Sequence, residues 1–299
     1  MNRKFSLAFA AVLGGVFTLA LSQTVNYSYD KAGRLVRVDY PNGRSIRYTY
    51  DAAGNLLRRE SGGDTPAFAS VSAASFERGA PLAPESIAAG FGVGLARETA
   101  VSDTLPTELA GTRVEVVDSG GTARPAGLFF VSPGQINYLV PAGVALGRAT
   151  VRVSVAGAIV ASGTIEIARV APSLYTANAR GTGVASAFFL RVGPDGSRIQ
   201  DLIFDPFTQQ AVPVDLGPEG AQVFLLLFGS GIRGFISEVT TTAGGSGVPV
   251  AGAVPQGQFA GLDQVNIGPL PRSLAGRGEV NIVLTADGRR ANTVTVTIR

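Results

Sequence analysis

The sequence predicts an all-β protein, with two tandem β-sandwich modules preceded by a pair of short hairpins. Three observations carry this. The chain repeats itself: Pro133-Gly134-Gln135-Ile136-Asn137 aligns with Leu262-Asp263-Gln264-Val265-Asn266 at an offset of 129 residues, and Val151, Val153 and Val155 meet Val280, Ile282 and Leu284 at the same offset. A second correspondence, Phe91-Gly92-Val93-Gly94-Leu95 with Phe228-Gly229-Ser230-Gly231-Ile232, recurs at 137 residues in the same order. Next, Gly 39 and Pro 17 in 299 residues make turns frequent, which suits short strands better than long helices. Finally, apolar and polar residues alternate, as in Thr150-Val151-Arg152-Val153-Ser154-Val155, and helical spacing is absent.

Residues 1–22 read as a secretory signal peptide. Arg3 and Lys4 give a positive start, Phe5 to Leu21 is mostly apolar, and Ala20-Leu21-Ser22 offers small residues for cleavage after Ser22. The competing reading is an uncleaved membrane anchor. Gly14, Gly15, Ser6 and Thr18 interrupt the run and make it marginal for spanning. The expected location is therefore the cell envelope or the exterior. Cys 0 is compatible with that address for a chain with enough apolar residues to fill its cores.

Residues 23–60 contain a repeat of 21 residues. Tyr27-Ser28-Tyr29-Asp30-Lys31-Ala32-Gly33-Arg34-Leu35 returns as Tyr48-Thr49-Tyr50-Asp51-Ala52-Ala53-Gly54-Asn55-Leu56. Alternating Tyr, Val and Ile between Asp-x-x-Gly turns and the Pro41-Asn42-Gly43 turn predict four strands, near 25–30, 34–39, 44–50 and 55–60. This motif resembles the YD repeats of the RHS family, whose Tyr-Asp…Gly-x-Leu units wind into a β shell. Two units cannot enclose anything, so the shell's role does not follow the resemblance here. Ser61-Gly62-Gly63-Asp64-Thr65-Pro66 opens an expected linker over 61–67.

The first module is expected over 68–170. Its strands fall near Phe68 to Phe76, Ile87 to Leu95, Arg113 to Asp118 and Leu128 to Val140, and a hairpin of Ala149 to Ala156 with Ile159 to Ala168 closes it. Ala171-Pro172 marks the boundary, and the second module fills 171–299. Val184 to Val192, Arg198 to Phe204 and Ala221 to Phe228 read as strands, Thr240 to Gly247 as a mobile tip, and Gly278 to Ile298 as a closing hairpin. Phe129-Phe130 and Phe188-Phe189 are each expected to place one ring on either face of a strand.

The run Pro133-Gly134-Gln135-Ile136-Asn137-Tyr138-Leu139-Val140-Pro141 carries a second resemblance, supported by Ser75-Phe76, Phe91-Gly92-x-Gly94-Leu95 and Asn292-x-Val294-x-Val296. Over about 68–299 the chain is similar to the Solibacter-type uncharacterised C-terminal domain of secreted acidobacterial proteins. That resemblance implies a pair of immunoglobulin-like or IPT-like sandwiches at the C-terminus of an exported protein. It implies no activity.

The inventory of reactive groups is short. With His 0 and Cys 0, Ser-His-Asp and Cys-His catalysis and His- or Cys-ligated zinc are excluded. Lys31 is the one lysine after residue 22. Asp195, Asp201, Asp205, Asp215, Glu219 and Glu238 remain for a carboxylate-dependent glycosidase or a calcium site, but their spacing fits neither pattern. Net charge is +3, or +1 without Arg3 and Lys4 (25 − 2 basic against 22 acidic), which does not point to nucleic acid. Residues 23–60 hold seven of the basic and four of the acidic groups, a small basic piece.

Candidate site residues are Pro133, Gly134, Gln135 and Asn137, with Gln264 and Asn266 in the second copy. Amides at i and i+2 share one side of a strand. They can bind sugar hydroxyls, or they can satisfy buried backbone groups. Their recurrence inside the repeat favours a folding signature: a turn at Pro133-Gly134, an inward amide pair, and an exit at Pro141. The expected function is a non-catalytic surface module for interaction, spacing or attachment, without cofactor. Its expected partner is a cell-envelope polysaccharide or another surface protein. The alternative is a carbohydrate-binding accessory module.

Overall fold

The computed structural model describes residues 25–40, 44–63 and 67–299. The expected signal peptide and the Pro41-Asn42-Gly43 turn lie outside the described residues. The protein is all-β and built from open antiparallel sheets. Among the described residues the only helical element is one 3-10 turn, Arg272–Leu274.

The N-terminal sheet is a four-stranded meander of Asn26–Tyr29, Leu35–Asp39, Arg44–Tyr50 and Leu56–Gly63 in sequence order. Its turns explain the repeat. The Asp30 carboxylate accepts from the Ala32 and Arg34 N–H groups, both at 2.9 Å, and Asp51 accepts from the Asn55 N–H at 2.8 Å. Gly33 and Gly54 supply the positive φ, 76° and 91°, that lets each turn close. Arg34 joins the two units: Nη1 donates to the Asp51 carbonyl at 3.0 Å and its guanidinium lies 5.0 Å over the Tyr50 ring. Tyr50 returns a bond to the Leu35 carbonyl at 2.9 Å. The last strand runs further than expected. Ser61, Gly62 and Gly63 pair with Ile46, Ser45 and Arg44, so these residues belong to the sheet and not to a linker.

Each of the next two modules is a pair of sheets around one core. In the first, strands Ala69–Ser72, Ile87–Phe91, Gln135–Leu139, Gly127–Val131 and Ala100–Val101 form one sheet in that spatial order. Ala158–Ile167, Gly147–Val155, Thr112–Val117 and Ala123–Pro125 form the other. Leu128, Ile136, Tyr138, Val114, Val116, Val151, Val153 and Ile165 fill the space between them. The chain enters this module across Gly163, where a methyl group built on the glycine would stand 1.7 Å from the Phe68 carbonyl oxygen. Only glycine lets two backbones approach so closely.

The second module repeats the plan. Arg198–Leu202, Ala187–Val192, Gln222–Ser230, Asp263–Ile267 and Val250–Pro255 form one sheet. Ser246–Val248, Val239–Ala243 and Gly278–Ala286 form the other, with Val294–Ile298 also paired to Gly278–Ala286. The core is equivalent to that of the first module: Val223, Leu225, Leu227, Val265 and Ile267 of one sheet meet Ile282, Leu284, Val294 and Val296 of the other.

Two sequence expectations are corrected here. Thr240 to Gly247 is not a loose tip: Thr241, Thr242 and Ala243 pair with Val248, Gly247 and Ser246, and Thr241 Oγ1 donates to the Val248 carbonyl at 2.8 Å. Phe129 and Phe130 do not straddle their strand. The register skips from Leu128 opposite Tyr138 to Phe130 opposite Asn137, and the bulge turns Phe130 away from the core. Phe188 and Phe189 do divide, Phe189 into the core and Phe188 outward.

The outward faces of the two larger sheets meet. Val71, Ile87, Ala89, Phe129 and Leu139 of the first module form one apolar cluster with Phe188, Leu226, Phe228 and Leu262 of the second. Phe188 and Phe228 stack edge to face at 6.0 Å. The modules are joined sheet to sheet.

Candidate functional site

The repeated amides lie at this joint. Pro133 and Gly134 form a tight turn, closed by the Ser132 N–H donating to the Gln135 carbonyl at 2.8 Å. Gln135 Nε2 donates to Asn137 Oδ1 at 2.9 Å, and Gln264 Nε2 donates to Asn266 Oδ1 at 2.8 Å. Each pair is therefore a small amide ladder along one strand face. The expectation of an inward pair is corrected by the register. Ile136 and Tyr138 enter the first core, so Gln135 and Asn137 share the opposite face with Leu139, which belongs to the joint. Gln135 and Asn137 are buried, while Gln264 and Asn266 are half-buried. Gln135 Oε1 is buried without a hydrogen-bond partner.

The two copies close the same turn by different chemistry. In the first, the Pro133 and Gly134 carbonyls accept from the Leu95 and Gly92 N–H groups at 3.0 and 3.2 Å. In the second, the Asp263 carboxylate replaces a carbonyl and accepts from the Ile232 N–H at 2.7 Å. Arg233 Nε donates to the same carboxylate at 2.6 Å, and its Nη2 donates to the Leu262 carbonyl at 2.8 Å. Burial pushes the Asp263 carboxyl above the usual range, against the opposing pull of the Ile232 N–H and the Arg233 charge.

Polar contacts cross the joint beside this pair. Ser230 Oγ accepts from the Ile87 N–H at 2.9 Å and donates to the Gly261 carbonyl at 2.8 Å. Ser72 Oγ and Ser173 Oγ are 2.6 Å apart, and Arg233 Nη1 lies 3.9 Å from Glu85. Sequence reasoning missed Asp263, Arg233 and these serines. The signal was present: Asp263 stands at the position of Gly134, and Ser230 at that of Val93.

The surface carboxylates serve turns. Asp195 accepts from the Ser197 N–H at 3.0 Å and Asp205 from the Phe207 N–H at 2.8 Å. Asp215, held down to about 2, accepts from the Gly217 N–H and pairs with Arg299 and Arg191. Among the described residues no group of three or more acidic side chains is placed to hold a metal ion.

The N-terminal sheet is two-faced. Tyr27, Val38 and Ile46 lie opposite one another on one side, and Ser28, Arg37 and Arg47 on the other. Val38 is buried, but Tyr27, Tyr29 and Leu57 are exposed.

The family model described as RHS Repeat matches residues 17–45 and 29–65. The N-terminal sheet is thus built of RHS repeats, a β-rich element of cell-surface and secreted proteins. No curated protein matches the sequence. A solved structure of the plexin A4 full extracellular region aligns at 10% identity and a TM-score of 0.24, over 77% of this chain and 18% of that one. No helix among the described residues is long and apolar enough to cross a membrane.

Proposed function

We propose that the protein is a non-catalytic cell-surface or extracellular module that acts as a rigid spacing and attachment element. The observation that carries this is the joint: two sandwiches packed sheet to sheet, with an apolar cluster and direct polar bonds between them. A hinge between modules needs a loose connection, and here both sheets bury large side chains against each other. The resemblance to the Solibacter-type domain, with its immunoglobulin-like or IPT-like pair, supports the same reading. Small-angle scattering of the full chain, extrapolated to zero concentration, tests it. One profile that is unchanged by salt is expected; a profile that requires several module arrangements contradicts it.

A second reading is favoured by one observation. Five of the seven tyrosines, Tyr27, Tyr29, Tyr40, Tyr48 and Tyr50, belong to the N-terminal sheet region, and the first three are exposed. Exposed tyrosines on a basic sheet suit a polysaccharide better than the buried amides do. Binding on a glycan array that Tyr27→Ala removes supports it, and a silent array counts against it.

A further inference from the structure

We propose that the N-terminal sheet joins copies of this chain head to tail, strand Asn26–Tyr29 of one copy adding to strand Leu56–Gly63 of the next. The template is the junction already inside the sheet. There, strand Leu35–Asp39 pairs with Arg44–Tyr50, Tyr50 bonds to the Leu35 carbonyl at 2.9 Å, and both side chains are half-buried. The 21-residue repeat places Leu56 at the position of Leu35 and Tyr29 at that of Tyr50. These two, at opposite edges that no other described strand covers, are 52% and 61% exposed. Among the described residues the sheet therefore leaves open at its ends the same residue types that its own middle covers.

The edges also fit in charge. Inside the sheet Arg37 faces Arg47, and Asp39 relieves the repulsion by accepting from Arg37 Nε at 2.7 Å. At the proposed junction Arg58 takes the place of Arg37 and neutral Asn26 that of Arg47, so no like charges oppose. Strand Asn26–Tyr29 carries neither charge nor proline, the usual guards of a free edge. One internal contact is not reproduced. Asn55 replaces Arg34 and is engaged with its own Asp51 at 2.9 Å, which makes the junction weaker than its template. Because the two edges differ, the contact is heterologous and builds rings or filaments.

Sedimentation of the full chain and of two edge variants tests this. Tyr29→Lys spoils one edge and Leu56→Lys the other. The wild type is expected to gain mass with concentration, and each variant alone to stay monomeric. An equimolar mixture of the variants is expected to form dimers that grow no further, because one intact edge of each remains. A variant that merely misfolds cannot be rescued by mixing. A wild type that is monomeric at every concentration, a single variant that still associates, or a mixture that stays monomeric overturns the proposal. Loss of polysaccharide binding in Tyr29→Lys with unchanged self-association does so as well.

Discussion

Arg233 Nε and Asp263 Oδ1 lie 2.6 Å apart, on a carboxylate with no exposed side-chain surface. The pair occupies the place that Pro133 and Gly134 fill in the first module with backbone carbonyls alone. A buried charge is tolerated only when it is paired and hydrogen-bonded, and Asp263 has the Ile232 N–H as well as Arg233.

Removing one member strands the other. Arg233→Ala is expected to destabilise the protein by about 3–5 kcal/mol. Urea unfolding checks this, as a lower midpoint at an unchanged slope.

The pair also sets a pH dependence of defined sign. Burial raises the folded pKa of Asp263, so protonation favours the folded state. Its contribution is complete below the ordinary carboxylate range and is lost as pH rises through the raised value. Asp215 behaves oppositely: with a folded pKa of about 2, its contribution is present above the ordinary value and lost as pH falls toward 2. Melting curves of Asp263→Asn and Asp215→Asn across acid pH should differ from the wild type with opposite slopes.

The amide ladder predicts a structural phenotype. Gln135→Ala and Asn137→Ala should each cost roughly 1–3 kcal/mol, because a buried partner is left unsatisfied. Unchanged stability together with lost binding to a surface ligand identifies the stretch as a site instead.

The strands were legible in the sequence because their cause is local. Alternation in Thr150–Val155 and the Asp-x-x-Gly turns after Tyr29 and Tyr50 act over a few residues. The equivalence of the two modules was legible through Gln135 and Asn137 against Gln264 and Asn266. The joint was not, since alternation shows that a strand has two faces but not what covers each. Phe130 shows the same limit: a bulge depends on the partner strand, and one inserted residue reverses which face a ring takes. Asp263 and Arg233 are adjacent only after folding, 30 residues apart in the chain.

Gly163 marks another tertiary constraint inside an otherwise ordinary strand. Gly163→Ala forces a methyl group against the Phe68 carbonyl and should cost about 1–3 kcal/mol by overpacking. Thermal denaturation reads it directly, with Gly157→Ala, a substitution in open space but at positive φ, as a comparison.

Packing sheet to sheet should hold the two sandwiches as one rigid body. The chain has Cys 0, so spin labels can be placed cleanly at Arg152→Cys in the first module and Asn281→Cys in the second, both exposed strand positions. Pulsed electron–electron double resonance between them should give one narrow distance distribution, broadened when Phe228→Ala removes a ring from the joint. A broad distribution in the otherwise unaltered chain contradicts a rigid joint.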